Sequence, residues 1–126
     1  MADAALLSVR GLTRRFGGLT AVGDVDLDLH EGEVHAVIGT NGAGKSTLVN
    51  MLSGELAASA GRIALAGQDV TRMPQPRRAR AGVGRSYQRT TIFPEFSALE
   101  NCRLAAQAQM ALRPWQLGLS AQRCAA

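Results

Sequence analysis

The sequence predicts an α/β fold in which a short buried strand leads through a glycine-rich loop into a helix. The apolar segment 33–38 is bounded by glycines and is typical of a buried strand. The segment 46–53 has apolar residues at helical spacing, and Gly54 after it suits the left-handed turn that ends a helix. Between them, residues 39–47 match the phosphate-binding pattern G-x-x-x-x-G-K-[ST] without a gap.

The residue types of this loop predict that it binds the phosphates of a nucleotide. Its three glycines let backbone N–H groups approach the phosphates, and the helix that follows adds unsatisfied N–H groups and a positive dipole end. Lys45, the only lysine beside thirteen arginines, is expected on the β- and γ-phosphate oxygens, and the Ser46 hydroxyl on Mg²⁺. An ordinary glycine-rich turn is the alternative, but it does not account for the flanking segments. The candidate contacts are Gly39, Thr40, Asn41, Gly42, Ala43, Gly44, Lys45, Ser46 and Thr47.

Composition limits the classes of protein to which the chain can belong. A length of 126 residues allows one small domain at most, and 46% hydrophobic residues with 19% charged ones argue against disorder. The net charge is +4, and the basic stretch 72–89 contains six arginines and no acid. We interpret that stretch as a solvated face, a nucleotide-facing surface or a subunit contact, and predict no nucleic-acid partner.

Nothing in the chain indicates secretion or a membrane span. Cys102 and Cys124 lack metal-ligand spacing and are expected to be free thiols in a reducing compartment. No signal sequence is evident, and no apolar run approaches the roughly 20 residues that a membrane helix needs. We therefore expect a cytosolic chain.

The N-terminal region predicts two strands joined by a glycine turn. Residues 6–16 form the first candidate strand, and Gly17-Gly18 turns the chain. Apolar residues then alternate with aspartates over 24–29, which predicts a strand with one solvated face. We interpret these aspartates as solvated rather than metal-binding, and His30 and His35 as structural.

Downstream of the loop, the sequence predicts two more strands and two helices. Residues 61–67 are typical of a strand that enters a turn, and 76–80 of a short helix with proline at its start. Residues 82–87 are a candidate second core strand. Ser97 and Glu100 form a capping box, which opens a helix over about 98–112 that Pro114 stops.

Phe16 is a candidate contact for the nucleotide base. It precedes two glycines and lies 23 residues before Gly39. An aromatic side chain there can stack on adenine, a contact worth about 1–3 kcal/mol per base in single-strand binders. An ordinary apolar strand residue is the equally weighted alternative.

With these residues in place, the chain resembles the ATP-binding subunits of ABC transporters. The resemblance runs from Leu6 to about Gln109 and is carried by the 39–47 loop, Phe16, and Gln88 after a predicted strand. The runs 14–19 and 84–89 are most similar to subunits of branched-chain amino-acid importers. Thr40 departs from the family's frequent proline, a minor change because its side chain does not bind phosphate.

The resemblance implies a fold and its domain limits. It implies a P-loop NTPase fold, with a RecA-like core and an antiparallel β subdomain, truncated at the start of the helical subdomain. Residues 1–87 are then the N-terminal part of the nucleotide-binding core, and 88–126 hold the Q-loop and an incomplete helical subdomain.

The resemblance also implies cofactors, roles and partners. ATP and Mg²⁺ are the implied cofactors. Phe16 is implied to stack on adenine, and Lys45 and Gln88 to be catalytic. Ser46 and Gln88 are implied to serve Mg²⁺. The implied partners are a second ATP-binding subunit arranged head to tail, membrane permease subunits and, indirectly, a solute-binding protein. The implied location is cytoplasmic, on the inner face of the cell membrane.

Three features of this family are missing from the sequence. An apolar strand that ends in Asp-Glu, a later histidine and an LSGGQ-like signature are all absent after Lys45. Residues 52–55 and 119–123 resemble the signature, but the first lies at a predicted helix C-terminus and the second lacks glycines. We therefore expect the chain alone to bind ATP without hydrolysing it. A non-transport ABC ATPase, a P-loop kinase or GTPase and a non-catalytic remnant are the alternatives.

Overall fold

The computed structural model describes residues 4–87, 89 and 92–110. Its elements in chain order are β1 (Leu7–Phe16), β2 (Leu19–Leu29), α1 (Lys45–Ser53), β3 (Ala60–Leu65), β4 (Gln68–Asp69), α2 (Gln75–Ala81) and α3 (Ala98–Gln109). The described residues fall into two compact units that divide between Gly84 and Arg85. Among the described helices, none has both the length and the apolar character that a membrane crossing requires.

A four-stranded antiparallel sheet forms the frame of the first unit. The strand order is β2-β1-β3-β4. β1 and β2 form a hairpin whose last pair is Phe16 and Leu19, so Gly17 and Gly18 make the turn as predicted. The antiparallel β subdomain is confirmed, whereas β4 was not predicted because two residues leave no periodic pattern.

Helix α1 covers this sheet and completes its core. Leu48 and Met51 of the helix are buried in a cluster with residues of β1, β2 and β3. Val49 stays 40% exposed, so the apolar face of the helix is narrower than its sequence indicates. The buried cluster consists of Val9, Leu12, Val22, Leu48, Met51, Ile63 and Val70.

The two predicted core strands, 33–38 and 82–87, are wrong. Neither segment is a strand, and in the part of the chain that the structure describes no strand pairs with either. Val34 is 95% exposed and Ile38 91%, and a cleft of about 530 Å³ separates residues 36–38 from β2. A buried strand needs neighbours to take up its backbone hydrogen bonds, and apolar composition alone does not supply them.

Arg78 is buried at the C-terminal end of α1, although the sequence placed it in a basic stretch interpreted mainly as surface. Its side chain donates from Nη1 to the Met51 and Leu52 carbonyls at 2.5 and 3.1 Å, and from Nη2 to the Thr71 carbonyl at 2.8 Å. Nε donates to the Met73 carbonyl at 2.9 Å. Burial lowers the pKa of this guanidinium below the ordinary arginine value. The side chain is nevertheless suited to its place, because a cation complements the negative end of a helix dipole.

The aspartates of β2 bind β1 instead of only facing water. Asp26 Oδ1 accepts from the Gly11 N–H at 2.7 Å. Asp28 accepts from the Ser8 hydroxyl at 2.9 Å and from Arg10 Nη2 at 2.6 Å. Asp26 is exposed and the Asp28 side chain keeps 37% of its surface exposed, so both stay accessible to solvent as predicted while they also join the strands of the hairpin.

The two histidines share one carboxylate that the sequence analysis did not assign to them. His30 Nδ1 and His35 Nε2 each lie 3.2 Å from Glu33 Oε2. The same oxygen accepts from the His30 backbone N–H at 2.8 Å, which closes the turn after β2. Both histidines thus have local structural contacts.

We expect Arg78→Met to lower the free energy of unfolding by about 2–4 kcal/mol, because it leaves buried carbonyls without a charged donor. Arg77→Met removes the same charge from an exposed neighbour and is expected to cost at most about 0.5 kcal/mol. Urea denaturation of the full-length protein measures both. Equal losses would show that the buried contacts of Arg78 do not stabilise α1.

We expect Asp28→Asn to remove part of the pH dependence of stability. The hydrogen bond from Arg10, aided by that from Ser8, lowers the pKa of Asp28 below 3.8. The carboxylate therefore stabilises the fold fully above that value and loses its contribution as pH falls through the lowered pKa. Urea midpoints of wild type and variant should differ at neutral pH and converge as the pH falls through the lowered pKa of Asp28. Glu31→Gln, an exposed change, should show no such convergence.

Candidate phosphate-binding site

The candidate phosphate loop lies at the N-terminal end of α1, as predicted. Gly42 and Gly44 adopt left-handed φ values of 84° and 91°, and Gly44 is the N-cap of the helix. The Ala43 N–H donates to the Thr40 carbonyl at 3.1 Å, which tightens the loop. The helix start has no side-chain cap and no acidic residue in its first turn. Its N–H groups and positive dipole end therefore fit a phosphate.

Gly44 also sets the position of the loop on the sheet. A Cβ atom built at Gly44 would lie 2.3 Å from the carbonyl oxygen of Ala21 and 3.3 Å from Val22 Cγ2, and both of these residues belong to β2. At Gly39, a Cβ atom would lie 3.0 Å from the Ala43 side chain. Gly44 therefore permits an approach to the β2 backbone that other residues prevent, and Gly39 makes room for the Ala43 side chain.

The Lys45 ammonium group lies over the first residues of the loop. Its Nζ donates to the carbonyl oxygens of Gly39 and Thr40, the second at 3.3 Å. A phosphate oxygen in the loop offers the same hydrogen bond with the added attraction of opposite charge. The predicted role of Lys45 is thus compatible with its position.

Ser46 fits the role of a hydroxyl ligand for Mg²⁺. It is exposed at the start of α1, and no hydrogen bond to its hydroxyl is found among the described residues. Over the same residues, no group of three or more histidine, cysteine, aspartate or glutamate side chains could hold a metal ion. The role of Ser46 as a magnesium ligand stays a prediction.

Phe16 ends β1 and keeps 45% of its surface exposed. The guanidinium carbon of Arg14 lies 4.6 Å from the centroid of its ring. Arg14 pairs in register with Val22, the residue whose side chain faces Gly44 of the loop. Sequence reasoning missed Arg14, although its spacing of two residues from Phe16 on one strand was a usable signal.

Gln88 lies outside the described residues, so its predicted roles stay predictions. Immediately before it, the Arg85 guanidinium lies 4.6 Å from the Tyr87 ring centroid. After it, the Phe93 and Phe96 rings lie 5.4 Å apart, and Asn101 bonds to both the N–H and the carbonyl of Phe93. Residues 93–96 are therefore held against the first turn of α3.

The predicted capping box is present at the start of α3. The Ser97 hydroxyl accepts from the Glu100 N–H at 3.2 Å, and the Glu100 carboxylate accepts from the Ser97 N–H at 2.7 Å. This second contact, with the Ser97 hydroxyl, lowers the pKa of Glu100. The predicted stop at Pro114 lies outside the described residues, as do Cys124 and the signature-like run 119–123.

The other signature-like run, 52–55, lies at the C-terminal end of a helix, as predicted. α1 ends at Ser53, and Gly54 is the left-handed cap. The negative end of the helix dipole makes this position unfavourable for phosphate. Cys102 is exposed and free, as predicted.

Comparison with known proteins identifies a family and close relatives. The family model described as "ABC transporter" matches residues 22–125. The chain is 44% identical over 100 residues to the high-affinity branched-chain amino acid transport ATP-binding protein BraF of Pseudomonas aeruginosa. The aligned region covers 79% of this chain and 39% of that protein. It is 43% identical over 105 residues to LivG of Escherichia coli K12, a protein of the same description, with 83% and 41% covered. The chain therefore spans about two fifths of the length of these relatives.

A solved structure supports the fold independently. A structure titled "ATP binding subunit of ABC transporter" superposes with a TM-score of 0.74 at 29% identity, covering 86% of this chain and 44% of that one. The α/β P-loop NTPase fold predicted from the sequence is confirmed.

We expect Gly44→Ala to destabilise the protein more than Gly42→Ala. Both glycines have left-handed φ values, which cost an alanine about 1–2 kcal/mol. A Cβ atom meets nothing within 4 Å at Gly42, whereas at Gly44 it meets the β2 backbone, which adds about 1–3 kcal/mol. Urea denaturation of the two variants measures the difference. Equal losses would contradict the close approach of loop and strand.

Proposed function

The chain belongs to the ABC transporter family, and from that membership we propose that it is the ATP-binding subunit of an importer. In this proposal, ATP binding and hydrolysis are coupled to the import of branched-chain amino acids. The observation that carries the proposal is the start of α1, which has no side-chain cap and follows two glycines with left-handed φ values. The ammonium group of Lys45, the first residue of the helix, reaches back over the loop to the Thr40 carbonyl. The identities of 43–44% to proteins described as branched-chain amino acid transport ATP-binding proteins support the choice of substrate.

Each end of the nucleotide is assigned to residues of this chain. The loop N–H groups and Lys45 hold the β- and γ-phosphates, the Ser46 hydroxyl holds Mg²⁺, and Phe16 receives the adenine ring. Bound Mg-ATP supplies the anhydride bond and a metal that neutralises charge. The residues of the loop orient the phosphates and balance their charge through fixed donors. Gln88 is assigned to Mg²⁺ and the attacking water.

The rest of the assembly follows from the same proposal. Residues 1–87 are assigned to the nucleotide-binding core and 88–126 to the Q-loop and the start of the helical subdomain. The proposed partners are a second ATP-binding subunit arranged head to tail, membrane permeases and, through them, a solute-binding protein. The subunit is placed on the cytoplasmic face of the cell membrane.

The 126 residues alone are proposed to bind ATP without turning it over. After Lys45 the sequence contains no histidine, and no acid that follows a run of four apolar residues. The chain therefore lacks a candidate general base for the attacking water.

Lys45→Ala is expected to weaken Mg-ATP binding about 10- to 150-fold, the loss of a hydrogen bond to a charged group. Isothermal titration calorimetry on the full-length protein measures this, and cells carrying the variant are expected to take up less labelled leucine than wild-type cells. Arg72→Ala removes one charge from an exposed residue beyond the far end of α1 and should bind as wild type does. Unchanged binding by Lys45→Ala would overturn the proposal.

A further inference from the structure

Arg14 is a basic residue that the proposed function does not yet use. It is half-buried near the end of β1, two residues before the aromatic side chain assigned to the base. Resting on the proposed function, we propose that Arg14 is a positioning residue, which holds the Phe16 ring in the orientation that receives adenine.

The contacts of Arg14 fix it on both sides. Its Nη1 donates to the Ala57 carbonyl at 2.8 Å, which anchors the guanidinium to the chain that follows α1. Its guanidinium carbon lies 4.6 Å from the Phe16 ring centroid, within the range of a cation–π contact. Arg14 therefore lies over the Phe16 ring, and the 45% of the Phe16 surface that stays exposed is what a base can stack on in this proposal.

The arginine occupies this place at a cost in hydrogen bonding. Its Nε is buried and has no hydrogen-bond partner in the described part of the chain. A buried donor without an acceptor is unfavourable, and a shorter or apolar side chain at this position avoids that penalty. The hydrogen bond to Ala57 uses Nη1 and leaves this Nε cost in place, so the contact with Phe16 is a second interaction that sets the position of the guanidinium.

The strand register connects this pair to the phosphate loop. Arg14 lies opposite Val22 in the β1–β2 ladder, and Val22 faces Gly44 at the start of α1. The ring orientation and the loop position are thus fixed by the same hairpin. In this proposal Arg14 acts on the nucleotide through Phe16, which is the residue that its guanidinium covers.

A purely structural role for Arg14 makes a different prediction. If Arg14 serves only to join β1 to Ala57, its removal lowers stability and affects all ligands of the loop alike. If it positions Phe16, its removal affects ligands with a base and spares those without one. Inorganic tripolyphosphate carries the phosphates of ATP without the base and separates the two cases.

The experiment compares Arg14→Met with Arg15→Met by calorimetry of the full-length protein, using Mg-ATP and Mg-tripolyphosphate. Arg15 is the exposed neighbour, and no contact of its side chain is found among the described residues. We expect Arg14→Met to bind Mg-ATP about two- to fivefold more weakly than Arg15→Met, the range of an exposed cation–π contact. Both variants should bind Mg-tripolyphosphate equally. In a Phe16→Ala background, the difference between the two variants should vanish.

The outcomes separate this inference from the proposed function. If Lys45→Ala reduces Mg-ATP binding but Arg14→Met and Arg15→Met bind it equally, the inference on Arg14 is wrong and the proposed function stands. If the loss persists without Phe16, or extends equally to tripolyphosphate, the positioning role is also wrong. If wild-type protein binds no Mg-ATP, both proposals fall. Should Arg14→Met not fold, Arg14→Lys keeps a cation but not the planar group, and is expected to give a smaller loss that is again confined to Mg-ATP.

Discussion

The position of the phosphate loop depends on a contact between two backbones. Gly44 caps α1 in a left-handed conformation and lies against the Ala21 carbonyl. A Cβ atom at this position would lie 2.3 Å from that carbonyl oxygen, which is too close for any residue but glycine. This contact fixes the N-terminal end of the helix, and with it the direction of its dipole and of its first N–H groups, relative to β2. Gly42, by contrast, has open space around it. Gly44 therefore anchors the loop to the sheet, while Gly42 shapes its turn.

The opposite end of α1 is held by charge. The last carbonyls of the helix accept from Arg78, which reaches them from α2 and is buried, with no carboxylate partner among the residues that the structure describes. The carbonyl groups and the helix dipole take the place of the counter-ion. The helix thus has a buried cation at its C-terminal end and uncapped donors at its N-terminal end. This arrangement stabilises the helix without using the groups that an anion needs.

What could be predicted from the sequence depended on local chemistry. The glycine loop, the helix after it, the Gly17-Gly18 hairpin and the Ser97 capping box each depend on residues close in the chain, so their patterns were sufficient. The strand at 33–38 failed because strand formation depends on neighbours that a pattern does not contain. Arg78 was missed for the same reason, since its partners are 5 to 27 residues away. The nucleotide roles assigned to the loop, Phe16 and Gln88 stay predictions.

The register of one hairpin links the two halves of the candidate site. Phe16 and Arg14 lie on β1, and the residue opposite Arg14 is Val22, which faces the start of α1. A slip of one residue in this ladder moves every side chain to the other face of the sheet, so Arg14 and Val22 would no longer be matched. The spacing between the Phe16 ring and the candidate phosphate loop is therefore set by backbone pairing. Side-chain flexibility changes this spacing little. The contact with Arg14 limits the orientations of the Phe16 ring, and the contact of Gly44 with Ala21 limits the positions of the loop.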